Sequence, residues 1–205
     1  MTNEVGGQNV SRETYDALVH FANLVRKWTV KINLISPASI DQLWDRHIVD
    51  SAQVFGLAGP NFDSWVDIGS GGGFPGIVIG ILAKEFHPSA TITLIESDQR
   101  KATFLRTAVR ELDLNATIHA QRIEDADPMK ADIVSARALT SLSGMMPFLE
   151  RHMAASGMAL LHKGRQHQKE IAEARQSWSF ALEEHHSLTD GEARLLAIKG
   201  ITRVG

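Results

Sequence analysis

Asp67-Ile68-Gly69-Ser70-Gly71-Gly72-Gly73-Phe74-Pro75-Gly76 is the stretch on which the reading of this chain turns. It completes a short apolar run, Ser64-Trp65-Val66-Asp67-Ile68, and leads into residues 75–86, which are apolar and of helical length. A strand that turns on glycines into a helix lets a ligand approach the backbone at the helix N-terminus. Gly69, Gly71 and Gly73 supply the tight turn and the close approach, and Pro75 suits the first turn of a helix.

Working outward, strand and helix alternate. Residues 90–96 read as a second buried strand and 98–114 as a second helix. Strands follow at 117–121, 131–135 and 158–162, with a helix at about 141–153 before the last of them. Near-continuous apolar strands separated by helices predict a parallel sheet covered on both faces. The end breaks this rhythm: residues 181–187 and 192–200, joined by Leu188-Thr189-Asp190-Gly191, read as an antiparallel hairpin. Before the first strand, periodic apolar positions from Tyr15 to Trp28 and again over residues 39–54 predict two helices. The first dozen residues are polar and are expected to fray. The expected organisation is therefore a helical N-terminal extension over 1–60, packed on a core domain over 61–205.

The ligand follows from charges around the glycine turn. A dinucleotide fingerprint counted from Gly69 reaches Phe74 where the helix-packing glycine belongs; counted from Gly71 it reaches Gly76 with a proline inside the motif. Asp67 at the strand tip opposes a pyrophosphate but tolerates a ligand bearing an ammonium and a sulfonium, so S-adenosyl-L-methionine is expected. Glu96 ends the second strand, where a carboxylate accepts from the ribose hydroxyls of an adenosine. An α/β sheet finished by an antiparallel hairpin resembles the class I (Rossmann-like) methyltransferase fold.

Composition excludes several classes. With no cysteine among 205 residues there is no disulfide and no thiolate chemistry. No apolar run reaches membrane-spanning length, and no secretory leader is visible, so a cytoplasmic chain without a membrane partner is expected. Of nine histidines only His185-His186 and His162/His167 lie close together, without ligand spacing to carboxylates, and no metal site is expected. A net charge of −3 does not announce a nucleic-acid binder, so an RNA partner must meet a local basic patch. Lys163 and Arg165 leave the fifth strand on the ligand side and are the candidates for phosphate contacts; Arg100, Lys101, Arg106 and Arg110 form no clean stripe and read as a solvated face. His47 is open between an RNA contact and a pin for the N-terminal helices.

For the acceptor, amine and amide methylation often uses an Asn/Asp-Pro-Pro-aromatic turn after the fourth strand. Here Ser135-Ala136-Arg137-Ala138 stands in that place. A ring nitrogen with an in-plane lone pair carries no proton to remove, and Arg137 is suited to order either a carboxylate or a base. Asn33-Leu34, Arg46-His47-Ile48-x-Asp50-Ser51, the glycine turn through Ile77, Glu96-Ser97 with Arg100-Lys101 and Phe104-Leu105, Arg122-x-Glu124, Ser135-x-Arg137-Ala138 and Lys163-Gly164 occur in that order. Together, over residues 28–199, they resemble the guanine-N7 methyltransferases of small-subunit ribosomal RNA, the family called RsmG or glucose-inhibited division protein B.

That resemblance implies S-adenosylmethionine-dependent N7-methylation of one guanine, guanine 527, in the decoding-region loop of 16S ribosomal RNA, by a monomer and without a general base. It places Gly69 and Phe74 at the cofactor, beside Gly71 and Glu96 already expected there from the turn, with Ile123 and Glu124 near its adenine and Arg137 closing the site; no catalytic residue is assigned. The chain departs from the family at Asp190-Gly191-Glu192-Ala193-Arg194-Leu195, where Asp-Gly-x-Arg-His-Leu is common; a shift of one residue sends the arginine to the other strand face. The alternatives are a small-molecule or protein methyltransferase on the same fold, a non-catalytic ribosome-assembly factor that binds the cofactor, and, least favoured, a dehydrogenase.

Overall fold

In the computed structural model, residues 3–204 are described. The chain opens not with a frayed tail but with a ribbon, β1 (Asn3–Val5) antiparallel to β2 (Gln8–Val10). Gly6 and Gly7 turn between them with φ of 59° and 82°, the double positive φ of a tight hairpin. Val5 and Val10 are buried, and that docking, more than three residue pairs, holds the ribbon in place. Strands this short show no alternation to read from sequence.

Helix α1 (Arg12–Ile32) is capped by Ser11, whose Oγ accepts from Thr14 N–H, and ends at Asn33 in the left-handed region. Leu18, Phe21, Ala22 and Val25 form its buried face. Inside its last turn the buried Thr29 hydroxyl accepts from Leu34 N–H (3.1 Å) and Ile35 N–H (3.2 Å) and donates to Ile35 C=O (3.3 Å). One hydroxyl thus uses its full hydrogen-bonding capacity to fold the chain back.

The helix expected over residues 39–54 is broken into short turns. A 3-10 turn (Pro37–Ser39), a π-helical turn (Trp44–Val49), α2 (Asp50–Ala52) and a second 3-10 turn (Phe55–Leu57) follow one another. In the π-turn Asp50 N–H reaches back five residues to Asp45 C=O. That wider register releases the Arg46 carbonyl, which accepts instead from Arg137 at 3.0 Å.

The main sheet contains β3 (Ser64–Ile68), β4 (Thr91–Ile95), β5 (Ala116–His119), β6 (Ala131–Arg137), β7 (Met153–Lys163), β8 (Trp178–His186) and β9 (Arg194–Arg203), in the order β5-β4-β3-β6-β7-β9-β8. Strands β3 to β7 pair in parallel; β9 runs antiparallel to β7 and to β8. The terminal hairpin is therefore present, with β9 inserted between β7 and β8. Neighbouring side chains alternate between two cores: Trp65, Ile133 and Leu160 face one, Val66, Val134 and Leu161 the other. The first lies under α1, α3 (Gly76–Phe86), α4 (Gln99–Glu111) and the N-terminal turns, the second under α5 (Leu142–His152) and α6 (His167–Ala174). The short α6 had no counterpart in the periodicity reading. No helix among the described residues is long and apolar enough to cross a membrane.

Strand order reverses between β3 and β6, so the chain leaves their C-terminal ends in opposite directions and opens a crevice there. Thr29→Val keeps the shape of the side chain but strands two buried N–H groups beside that crevice. It is expected to lower stability by about 2–4 kcal/mol, read as a lower urea midpoint at unchanged m-value.

Candidate functional site

The crevice holds a cavity of about 620 Å³ whose wall includes Gly69, Gly71, Phe74, Glu96, Ile123, Glu124 and Arg137. Four separate segments thus bring together all seven residues expected at the cofactor. The same wall includes Leu34, Lys101, Arg122, Leu139 and Phe148, which the sequence reading had not assigned to it. Loop residues such as Leu139 carry no periodic signal, and only the fold brings them here.

The glycine turn wraps the end of β4. Gly69 N–H and Ser70 N–H both donate to Ile95 C=O, at 2.9 and 3.1 Å. Gly71, at φ 55°, donates its N–H to Glu96 Oε2 at 2.7 Å, while Glu96 Oε1 accepts from Asp98 N–H, also at 2.7 Å. Each carboxylate oxygen keeps a second acceptor site, so Glu96 can fix the turn and still receive hydroxyl donors from a ligand. A Cβ on Gly71 would have only Gly69 O within 4 Å, at 3.8 Å, so the space beside it is open. A sugar-bearing ligand fits this arrangement: an acidic acceptor beside a backbone with no side chain in the way.

Asp67 has a different place from the one expected. It is fully buried and outside the cavity wall. Its carboxylate accepts from Ser135 Oγ at 2.7 Å and from Gly76 N–H, at the start of α3, at 3.2 Å; Trp65 Nε1 in turn donates to Ser135 Oγ at 2.8 Å. The electrostatic effect therefore works from beneath the turn. A helix-terminal donor that would otherwise be offered to a ligand phosphate is occupied by the protein's own carboxylate. Burial raises the Asp67 pKa to about 6, against the opposing hydrogen bonds from Ser135 and Gly76.

Arg137, at the end of β6, stands in the wall between this cavity and a second one of about 650 Å³. Its Nη1 donates to Arg46 C=O (3.0 Å) and to Asp50 Oδ2 (3.2 Å), and its Nη2 lies 2.6 Å from His47 Nδ1. The guanidinium sits over the Phe74 ring at 5.2 Å, and the His47 ring lies 5.0 Å from the same ring. His47 is pushed down to about 4 by burial and then by the Arg137 charge, with Asp50 opposing. It is neutral at physiological pH and ties the N-terminal turns to the sheet; it also lines both cavities.

The second cavity is bounded by Arg46, Asp50, His162, Lys163 and Arg194 among others. Of the two cations expected to meet phosphate, Lys163 is buried, its ammonium held by Thr140 C=O (2.7 Å) and Glu170 Oε2 (2.8 Å). Arg165 is exposed, with a loose 3.8 Å pair to Glu192. The β-strand shift does not remove Arg194 from the site: it pairs with Lys163 across β7–β9 and lines the second cavity. No cluster of three metal-ligating side chains occurs among the described residues.

Residues 14–197 match the family described as rRNA small subunit methyltransferase G. The chain is similar to proteins named ribosomal RNA small subunit methyltransferase G from Ruegeria pomeroyi and Rhizobium etli. Identity to the first is 51%, with 96% of each chain covered. Identity to the second is 44%, covering 98% of this chain and 99% of the other. Among solved structures it resembles cofactor-bound Rv0187 from MTB (TM-score 0.63, 11% identity, 94% of this chain and 90% of the other). It also resembles the O-methyltransferase TomG from Streptomyces achromogenes in complex with SAM (TM-score 0.60, 12% identity, 90% and 89% covered). The structural likenesses establish the class I methyltransferase fold.

Asp67 and His47 have opposite effects on stability with pH. Asp67 is raised from 3.8 to about 6, so its contribution is present below pH 3.8 and lost as pH rises through 6. His47 is lowered from 6.5 to about 4, so its contribution is present above pH 6.5 and lost as pH falls through 4. Across that window Asp67→Asn should gain on the unaltered protein as pH rises, by on the order of 1–3 kcal/mol, and His47→Phe should lose ground. Urea titrations at a series of pH values check both signs; parallel stability curves would refute them.

Proposed function

This chain belongs to the rRNA small subunit methyltransferase G family, and on that premise we propose that it methylates N7 of one guanine, guanine 527, in the decoding-region loop of 16S ribosomal RNA. Methylation of small-subunit rRNA with S-adenosylmethionine as cofactor is the activity of the family. The N7 position, the particular guanine and the residue roles below are our reading. The observation that carries it is the shared wall: His47, Arg137 and Ala138 line both the glycine-turn cavity and its neighbour. Two cavities meeting at one partition suit a donor and an acceptor base brought end to end.

When bound, the cofactor supplies an electrophilic methyl group on a sulfonium. On the protein side, Glu96 offers acceptors for the ribose, the Gly69–Gly71 backbone permits close approach, and Ile123 and Glu124 flank the adenine position. Phe74 presents an apolar ring under Arg137 that excludes water from the partition. In N7-methylation the nitrogen lone pair forms the new bond, the electron pair of the broken S–C bond stays on sulfur, and positive charge passes to the purine. No proton leaves, so no base is needed. The carboxylates near the partition fit that requirement: Asp67 is buried, and Asp50 is committed to Arg137, Gln53 and Thr189.

Arg46 and Arg194 at the second cavity, with Arg165 on the exposed segment nearby, supply the local positive charge that a net charge of −3 conceals. The helical N-terminal segment serves in this reading as the outer wall of both cavities, packed on the methyltransferase core.

Purified small subunits from cells lacking this modification, incubated with the protein and methyl-labelled donor, should take up label at one guanine, mapped by primer extension after cleavage at the modified base. Label appearing only in protein or small molecules would overturn the RNA acceptor. Gly71→Val should abolish transfer, because a β-branched residue is strained at φ 55° and its side chain would enter the cavity. Arg165→Ala should weaken binding to the particle and flatten its salt dependence, while calorimetric affinity for S-adenosylmethionine stays unchanged.

A further inference from the structure

His47 sits in the partition between the cavities, and the transfer chemistry gives it no proton to move. Its hydrogen bonds nevertheless specify one protonation state. Arg137 Nη2, 2.6 Å from His47 Nδ1, can only donate, so Nδ1 keeps its lone pair. In the neutral ring Nε2 then carries the proton and donates to Ser39 Oγ at 3.0 Å, which leaves the Ser39 proton for Ser36 C=O at 2.8 Å. Ser39, His47 and Arg137 form a directed chain in which the imidazole passes on the orientation of a serine to a guanidinium. Burial and the adjacent cation keep the ring neutral, as the contact demands.

What this contact does follows from the geometry of the fork. Both Nη1 protons of Arg137 are taken, by Arg46 C=O and Asp50 Oδ2. Those bonds restrain one corner of a planar group, which can still tilt about it. The bond to His47 holds a second corner, and three bonds on two nitrogens restrain the plane more tightly than two bonds on one. With the guanidinium held over Phe74 in this orientation, the Nε–H and the second Nη2–H keep constant directions in the partition.

We infer that His47 is a positioning residue, a neutral acceptor that sets the orientation of the Arg137 guanidinium for binding S-adenosylmethionine. This rests on the cofactor reading of the first cavity and requires nothing of the acceptor.

The test is a double-variant cycle read by calorimetry with S-adenosylmethionine alone. His47→Phe keeps an aromatic ring against Phe74 but offers no acceptor. It and Arg137→Ala should each weaken binding about tenfold, and the double variant should be no weaker than Arg137→Ala alone. If the losses multiply, His47 does not act through Arg137 and the inference falls. Two conservative variants separate orientation from simple packing, and stand even where the phenylalanine variant fails to fold. An asparagine amide reaches the position of Nδ1, and a glutamine amide that of Nε2. His47→Asn should therefore recover most of the lost affinity, and His47→Gln, which preserves only the Ser39 contact, should not. The reverse order would make the Ser39 tether the important contact and overturn the assignment. An unaltered protein that binds no S-adenosylmethionine would sink the cofactor reading and this inference with it; a binding protein with multiplying losses would sink the His47 assignment alone.

Discussion

One cation organises the functional end of this molecule. The Arg137 guanidinium is drawn largely out of solvent at the tip of β6, its side chain 17% exposed, and a charge so placed must be met on several sides. Asp50 supplies the opposite charge, Arg46 a carbonyl and His47 a nitrogen lone pair, all from one short stretch of the N-terminal segment. The need to point these three groups at a single guanidinium is what a regular helix cannot satisfy and a π-turn can. Asp50 then extends the network: Oδ1 accepts from Gln53 Nε2 and Thr189 Oγ1, and its carbonyl accepts from His162 Nε2. Through that residue the N-terminal turns are joined to β6, β7 and the β8–β9 loop.

Topology decides where this network lies. Because the sheet reverses its winding between β3 and β6, the glycine turn and Arg137 emerge side by side at one edge of the crevice. Asp67 and Ser135 are cross-strand partners beneath it and share a hydrogen bond that Trp65 backs from the same face. The rigid layer under the turn is thus polar but fully bonded, as a buried polar group must be to be tolerated. Above it the first cavity opens on one side of Arg137 and the second cavity on the other.

Chemically, the site is arranged to hold groups rather than to exchange protons. His47 is neutral and committed at both ring nitrogens, the Asp67 carboxylate is enclosed, and Arg137 keeps two donors free of protein partners among the described residues. Such an arrangement suits a displacement in which the acceptor already has its lone pair and charge moves from donor to base.

The local pattern of the chain was enough to define the alternating strands and helices, the glycine turn, the acidic end of β4 and the antiparallel hairpin, because each is set by neighbours within a few residues: periodic burial, positive φ, a carboxylate next to a turn. It was not enough for residues whose role depends on distant partners. Residues 39–54 have helical periodicity, yet the demands of Arg137, some ninety positions away, broke the helix. Lys163 looked free at a strand end until Glu170 and Thr140 closed on it. Asp67 was legible as a charge beside the glycines, but its direction, inward to Gly76 and Ser135, came from the pairing of β3 with β6. Sequence by itself determined which groups are available and the elements that carry them. Only the tertiary structure decided which donor meets which acceptor, since burial makes an unmet polar group costly and so selects partners without regard to their separation along the chain.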